Sequence, residues 1–179
     1  MTEEQLQADS QLQADPRLQA EFGRIVRQYS ERLYWHIRRM VVVHADADDC
    51  LQNTFLKAWK SYGSFRGESG VYTWLYRIAT NECITFLKKR QDEGLFDPEA
   101  VGRALSSDPY FDGDAAQTAL QRAIAKLPPQ QKAVFMLRYY EEMPYKDMTS
   151  VLGSTEGSLK ASYHQAYLKV SQWVKEFMK

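Results

Sequence analysis

The segment from Phe65 to Asn81 carries the side chains whose types and spacing best suit binding of a ligand. It reads FRGESGVYTWLYRIATN, a loop with two glycines that runs into a helix rich in aromatic rings. An unpaired nucleobase is bound by rings that stack on it, by arginine, and by amide or hydroxyl groups at its edge. The candidates for these roles are Phe65, Arg66, Gly67, Ser69, Tyr72, Thr73, Trp74, Tyr76, Arg77 and Asn81. The segment therefore indicates a site for single-stranded nucleic acid. A buried aromatic cluster is the alternative, and for Trp74 alone it is the favoured one.

A helical projection of this segment, which we expect to be helical from about Ser69 to Lys89, separates two faces. The apolar face contains Val71, Leu75, Ile78, Ala79 and Phe86. The opposite face contains Thr73, Tyr76, Arg77 and Thr80, with Tyr72 on one flank and Asn81 at the edge beside Trp74. We therefore expect Tyr76 and Thr80 to face solvent. Glu82 projects into the apolar face without an evident reason.

The composition is that of a soluble globular chain. Of its 179 residues, 44% are hydrophobic and 26% are charged, which predicts one or two small domains. No window is long and apolar enough for a membrane span, and the N-terminus lacks a signal-peptide pattern. Cys50 and Cys83 stand singly in helical patterns, as reduced core thiols of a cytoplasmic protein do. No cofactor motif, metal-ligand spacing or catalytic constellation occurs, so we expect neither an enzyme nor a cofactor.

The net charge of zero conceals three parts of different sign. Residues 1–90 carry a charge of +2, residues 91–114 a charge of −6, and residues 115–179 a charge of +4. The middle part also contains turn signals and little helical periodicity, which predicts an acidic flexible linker. Because the flanking parts show helical periodicity, we expect an all-α protein with two small helical domains, at residues 21–90 and 115–179. Residues 1–20, with a repeat at Leu6, Leu12 and Leu18, are predicted to be a flexible extension that becomes helical near Asp15-Pro16.

A second helix of the N-terminal domain is expected to open at Asp46. Leu51, Phe55, Ala58 and Tyr62 form its apolar stripe. Leu56 falls on the opposite, polar face, and an exposed leucine among charged groups indicates a surface for a partner. An ordinary solvated face is the alternative.

The C-terminal domain contains the pattern of a helix-turn-helix. Pro144 opens a short helix, Gly153 ends it, and Ser154 is predicted to cap a long final helix. The exposed face of this last helix offers small and polar groups that suit the major groove of DNA. These residues are Thr155, Gly157, Ser158, Lys160, Ala161, Ser162, His164 and Gln165. A helical hairpin that resembles the motif by chance is the alternative.

Together these segments resemble a bacterial RNA polymerase sigma factor of the extracytoplasmic-function (ECF) group. Residues 46–59 (DADDCLQNTFLKAW) are similar to its region 2.2, and residues 65–82 to regions 2.3 and 2.4. Residues 127–163, which begin LPPQQKAVFMLRYY, are similar to region 4. The resemblance covers the chain from about Phe22 to Glu176, with the three motifs in the family's order.

The resemblance implies a promoter-specificity subunit without catalysis of its own. It implies docking on core RNA polymerase through Asp46, Asp49, Gln52, Asn53 and Leu56. It also implies capture of a flipped base of the minus-10 element at residues 65–81, and binding of the minus-35 element by the final helix. The linker would run along the polymerase, mimicking nucleic acid, and an anti-sigma factor is a further partner. A stand-alone helix-turn-helix regulator is the alternative function.

Some residues depart from the family pattern. Asp48 and Asn53 stand where glutamate is usual in the polymerase-docking helix, and Thr149 stands where alanine is usual. Ser162 and Gln165 occupy positions at which arginine is common, so we expect weak promoter binding by the free protein. The opposite charges of the linker and the C-terminal part further suggest that the free chain closes on itself and masks its DNA-reading surfaces.

Overall fold

The computed structural model describes residues 15–179, and every regular element in that range is a helix, which confirms the all-α class. The helices are α1 (Pro16–Val41), α2 (His44–Tyr62), α3 (Gly70–Asp92), α4 (Ala100–Ser106), α5 (Ala115–Ala125), α6 (Pro129–Tyr139), α7 (Tyr145–Leu152) and α8 (Glu156–Phe177). No helix in this range is both long and apolar enough to cross a lipid bilayer.

The start of α1 follows the predicted signal. The Asp15 side chain accepts a hydrogen bond from the backbone N–H of Arg17 (2.9 Å), and Pro16 occupies the first helical position, where no donor is needed. Residues 16–20, which we assigned to the flexible extension, belong to this helix. Residues 1–14 of that predicted extension lie outside the described residues.

Two other helix starts differ from the predicted ones by one or two residues. α2 begins at His44 rather than Asp46, because Val42, at φ 70°, ends α1 and leaves only a tight connection. α8 is capped by Thr155 rather than Ser154, since the Thr155 hydroxyl accepts a hydrogen bond from the N–H of Ser158 (3.2 Å). Adjacent hydroxyl residues compete for a capping position, and sequence alone does not choose between them.

The N-terminal and C-terminal helices share one hydrophobic core. α3 packs against α7, and both α1 and α3 also contact α6. Ile37 and Leu75 from the first half and Leu137 and Met148 from the second are fully buried in it. We call this packing of the C-terminal helices on α1 and α3 the closed arrangement.

The segment between the two halves is more regular than expected. Its centre forms α4, and α4 packs on α5. Val101 and Leu105, one helical turn apart, are buried against Val42 and Ala125. An isolated pair of apolar residues at this spacing is too short a pattern to predict a helix, and tertiary contacts stabilise it here.

Several acidic groups of this segment are paired within the chain. Asp108 forms an ion pair with Arg38 of α1, and both side chains are about nine-tenths buried. Glu99 pairs with Arg122 of α5. In the closed arrangement these ion pairs, rather than diffuse attraction alone, attach the acidic segment to both halves.

Candidate nucleic-acid interface

A polar hollow of about 350 Å³ lies where the predicted loop meets the start of α3. Its walls are Ser61, Ser64, Phe65, Arg66, Glu68, Ser69, Trp74, Arg77 and Ile78. The rings of Phe65 and Trp74 are stacked, with their centroids 4.5 Å apart and an interplanar angle of 26°. The side chains of Arg66 and Arg77 are exposed. The hollow has the volume of a small ligand cleft, and it combines aromatic surface with a net positive charge, because Arg66 and Arg77 outnumber Glu68.

The loop that forms this hollow depends on two glycines. Gly67 and Gly70 have φ angles of 74° and 69°, in the left-handed region that other residues rarely adopt. Space around both positions is open, so backbone conformation rather than crowding requires glycine there. This turn leads into α3, whose N-cap residue is Ser69. The positive end of the helix dipole therefore lies beside the hollow, which favours an anion there.

Tyr76 and Thr80 do not face solvent, and that prediction was wrong. Both side chains are fully buried in the closed arrangement. The projection distinguished one core face, whereas α3 is covered by α1 and α2 and also by α6 and α7. Thr80 and Nε2 of the buried His36 share a hydrogen bond of 2.9 Å.

The closed arrangement thus divides the predicted minus-10 residues into two groups. Phe65, Arg66, Ser69, Trp74 and Arg77 surround the open hollow, with Gly67 in its loop. Asn81 is exposed one helical turn after Arg77, and Thr73 is half-buried. Tyr72 and Tyr76 lie away from the hollow, with their ring centroids 4.4 Å apart.

Sequence reasoning missed a cluster of four residues, Glu141 with Arg32, His36 and Arg39, to which Tyr76 is hydrogen-bonded. The Tyr76 hydroxyl donates a hydrogen bond to Oε2 of Glu141 (2.9 Å), which lies between α6 and α7. Arg39 Nη1 donates to the other oxygen of Glu141 (3.4 Å), and Arg32 Nε is 3.8 Å from Oε2. His36 Nδ1 is 3.8 Å from Oε1. No sequence pattern links α1 to a glutamate about one hundred residues later, so only the folded chain reveals this cluster.

Burial determines the protonation behaviour of this cluster. Desolvation, helped by the nearby Arg39 charge, lowers the pKa of His36 to about 3, so its imidazole is neutral at pH 7. Burial, reinforced by the Glu141 charge, raises the pKa of Tyr76 above its ordinary value, so its phenol remains a donor. Because His36 is neutral, the positive charges beside the Glu141 carboxylate come from Arg32 and Arg39.

The helix-turn-helix is formed by α7, Gly153 and α8. Gly153 adopts φ 62° and ψ 37°, the left-handed conformation that ends a helix and turns the chain. Leu159 is buried and anchors the start of α8 to the domain. All but one of the predicted minus-35 residues are exposed, and Ser162 is half-buried. Lys160 forms a 3.7 Å ion pair with Glu156 and lies 5.6 Å from the centre of the Tyr145 ring.

Four of the five predicted polymerase-binding residues are exposed on α2, namely Asp49, Gln52, Asn53 and Leu56. Leu56 is 55% exposed and borders an apolar hollow of about 470 Å³, whose walls include Phe22, Phe55 and Trp59. Asp46 is different, because its carboxylate lies 3.3 Å from Arg90 of α3 and is largely buried.

Glu82 also has a structural role that its position in the projection did not reveal. Its carboxylate accepts a hydrogen bond from Nδ2 of Asn53 (3.1 Å) and pairs with Lys57. These contacts join α3 to α2 beside the predicted docking face.

Comparison with known proteins agrees with these elements. Residues 25–93 match the family model for Sigma-70 region 2, and residues 117–170 match that for Sigma-70 region 4. The chain is 30% identical over 156 residues to the ECF RNA polymerase sigma factor SigM of Mycobacterium tuberculosis, covering 84% of this chain and 76% of that protein. The chain belongs to the ECF RNA polymerase sigma factors.

Two further similarities place this sigma factor among its relatives. It is 29% identical over 161 residues to the RNA polymerase sigma-H factor of Pseudomonas aeruginosa, covering 81% of each chain. Its fold is similar to that of the sigma factor RpoE from Bartonella quintana, solved in complex with the anti-sigma factor NepR. That likeness has a TM-score of 0.67 at 21% identity and covers 87% of this sigma factor and 97% of RpoE. The resemblance stated from the sequence motifs is therefore confirmed.

Proposed function

We propose that this sigma factor binds core RNA polymerase and directs initiation by capturing a minus-10 base at the hollow and contacting the minus-35 element through α8. The observation that carries the proposal is the Phe65–Trp74 stack in a hollow that Arg66 and Arg77 also line. The same chain presents an exposed polar face at the start of α8. Family membership supports promoter-specific transcription. The assignment of each element to a promoter position is our own.

The hollow is suited to a base that has left the duplex. Flipping a base costs a few kcal/mol of stacking and pairing, and the site must recover that free energy. One base stacked on an aromatic side chain contributes about 1–3 kcal/mol, and a charge-assisted contact from Arg66 or Arg77 adds about 1.5–3 kcal/mol. The sum is comparable to the cost of flipping, so the hollow can stabilise a melted strand.

Helix α8 is suited to duplex DNA. Its exposed Gly157 and Ala161 allow the helix backbone to approach the groove, and Gln165 offers a donor and an acceptor for a base edge. Lys160 is the one lysine or arginine in the first two turns of α8, and it is already paired with Glu156. With few phosphate contacts, the free protein should bind promoter DNA weakly, and its affinity should depend only slightly on salt concentration. Stable promoter binding therefore depends on polymerase.

Helix α2 is suited to contact polymerase, with Leu56 as the apolar centre of a polar face. Burying an exposed leucine contributes about 1.5–3 kcal/mol. Leu56→Ser should weaken binding to core enzyme by at least tenfold. Leu168→Ser is the matched control, because Leu168 on α8 is also 55% exposed. Equal loss in both variants would mean that general destabilisation, not docking, caused the effect.

The deciding experiment adds the purified chain to core RNA polymerase and sequences the transcripts made from genomic DNA. We expect a stable complex and defined start sites. Neither a complex nor specific transcripts would refute the proposal. A stand-alone regulator would instead bind duplex DNA tightly and specifically without polymerase, and it would give the hollow no role.

Two finer parts of the proposal concern the connector and control. In the transcribing complex the acidic segment 91–114 would leave Arg38 and Arg122 and lie along surfaces of polymerase that bind nucleic acid. An anti-sigma factor, as in the RpoE complex, is proposed as the protein that controls availability of this sigma factor. Hydrogen exchange at residues 100–106, with and without core enzyme, measures whether α4 is released.

A further inference from the structure

The Glu141 carboxylate is a buried anion held by groups from the other half of the chain. Its side chain is only 6% exposed. It accepts hydrogen bonds from Tyr76 and Arg39, and Arg32 approaches it at 3.8 Å. A carboxylate removed from water is destabilised unless such partners compensate its charge. We call Arg32, Arg39 and Tyr76 the Glu141 site.

The site keeps excess positive charge even when Glu141 fills it. Two guanidinium groups face a single carboxylate, and the neighbouring His36 is neutral, as its burial dictates. The adjacent residue, Glu142, is exposed. The ion pairs with the two arginines are therefore specific to Glu141, although Glu142 also carries a carboxylate.

The turn is built to present this side chain. Glu142 adopts φ 50°, in the left-handed region that is unfavourable for a non-glycine residue. The turn is closed by the N–H of Met143, which donates to the carbonyl of Leu137 (3.0 Å), and by Arg138, which donates to the carbonyl of Met143 (3.2 Å). These bonds hold the turn in a conformation that directs Glu141 against α1 and α3.

The groups around Glu141 have the composition of a site for single-stranded nucleic acid. Arg32 lies over the ring of Tyr72, 4.6 Å from its centroid, and Tyr72 contacts Tyr76. Paired rings beside arginines bind the bases and backbone of a single strand. A phosphodiester has one negative charge and two free oxygens, as a carboxylate has, so it can accept the same hydrogen bonds.

We propose that Arg32, Arg39, Tyr72 and Tyr76 form a second subsite for the melted strand, which binds a backbone phosphate, and that Glu141 occupies it as an internal competitor. This inference rests on the proposed function and assigns regulation to it. In the closed arrangement the strand reaches the hollow but not this subsite. When the C-terminal helices leave α3, Glu141 leaves with them and the phosphate takes its place.

The test uses the full chain and a labelled single-stranded DNA of mixed sequence, with affinity measured by fluorescence anisotropy. Glu141→Gln removes the charge but keeps the shape, and Glu142→Gln is the matched control. If Glu141 fills the site in about nine molecules of ten, its removal raises affinity about tenfold, because apparent affinity scales with the competent fraction. Glu142→Gln should bind as the unmodified chain does.

Adding Arg39→Gln to Glu141→Gln tests whether the gain comes from a phosphate contact. The double variant should lose the gain, and its salt dependence should become shallower by about 0.7 in log–log slope, the value for one phosphate of a single strand. Persistence of the gain in the double variant would overturn the subsite. Unchanged affinity of a folded Glu141→Gln chain would overturn the competition.

Circular dichroism establishes that each variant is folded. Should Glu141→Gln not fold, Glu141→Asp, which withdraws the carboxylate by one methylene, should give a smaller gain, and no gain would equally refute the idea. Transcription by the unmodified chain with core enzyme is measured in parallel. If the unmodified chain gives specific transcripts but Glu141→Gln does not change the affinity for single-stranded DNA, the proposed function stands and this inference alone is rejected.

Discussion

Lys132 on α6 is the buried charge whose removal should change stability most clearly. Its side chain is only 3% exposed, and its ammonium lies 5.8 Å from the centre of the Phe96 ring. Burial lowers the pKa of Lys132 from 10.5 to about 8. At pH 7 the folded protein therefore holds a charged ammonium in a core shared by both halves. Replacement by methionine, of similar length, should stabilise the protein.

The magnitude follows from the pKa. A difference between 10.5 in the unfolded chain and about 8 in the folded chain corresponds to about 3 kcal/mol of destabilisation below pH 8. The attraction between Lys132 and the Phe96 ring is lost in the variant and offsets about 1 kcal/mol of this. Lys132→Met should therefore raise the free energy of unfolding by about 1–3 kcal/mol, or Tm by about 2–12 °C for a chain of this size.

The pH dependence supplies the sharper criterion. Because the folded-state pKa is the lower one, the destabilisation is complete below about pH 8 and disappears as pH rises towards 10.5. Urea denaturation at about pH 7 and about pH 10 should show the variant's advantage shrinking. Lys146→Met, at an exposed position on α7, is the control and should change little. A destabilised Lys132→Met chain, or an advantage independent of pH, would refute the reasoning.

Three further predictions concern the site and the core. Arg77→Ala should reduce open-complex formation about tenfold and leave duplex binding nearly unchanged, because one charge-assisted contact to the melted strand is lost; Arg77→Lys should recover part of the loss. Permanganate footprinting measures open-complex formation and filter binding measures duplex binding. Equal losses in the two steps would mean that Arg77 has a structural role. Gln165→Ala should alter discrimination among upstream-element sequences by about 1–3 kcal/mol, whereas Gln172→Ala, two turns further along α8, should not. Competition binding among different upstream sequences measures this discrimination. If Gln165→Ala gave the same sequence preference as the unmodified chain, α8 would not be the helix in the groove. Because burial lowers the pKa of His36 to about 3, acidification favours protonation of His36 in the unfolded chain. The free energy of unfolding should therefore fall by about 1.4 kcal/mol for each pH unit between 6.5 and about 3. Compared with the unmodified chain, His36→Gln should lose less stability on acidification, and parallel denaturation curves would contradict that.

The sequence was sufficient where a residue acts through its own backbone or its own helix. Asp15-Pro16 predicted the start of α1, and Gly153 predicted the end of α7, because capping and left-handed turns are local. The aromatic and basic residues of the hollow were also visible, since they lie within 20 residues of one another. The order of the three motifs was enough to indicate the family.

Prediction failed where a second surface covered a helix. Tyr76 and Thr80 were assigned to solvent because periodicity reports one apolar stripe, and it does not show that hydroxyl groups on the other side are buried against partners. The helix α4 was missed for a related reason. Its two buried residues become a stable pair only when Val42 and Ala125 are beside them.

By itself, the sequence determined the all-α class, the two helical halves and the residues around the hollow, because these depend on local conformation and on periodicity. The tertiary structure alone decided that the halves share a core, and that Glu141 lies between Arg32 and Arg39 against Tyr76. The physical reason is that a charge pair between distant residues has no periodic signature. It exists only once hydrophobic packing has brought the two surfaces together and excluded the water that would otherwise screen them.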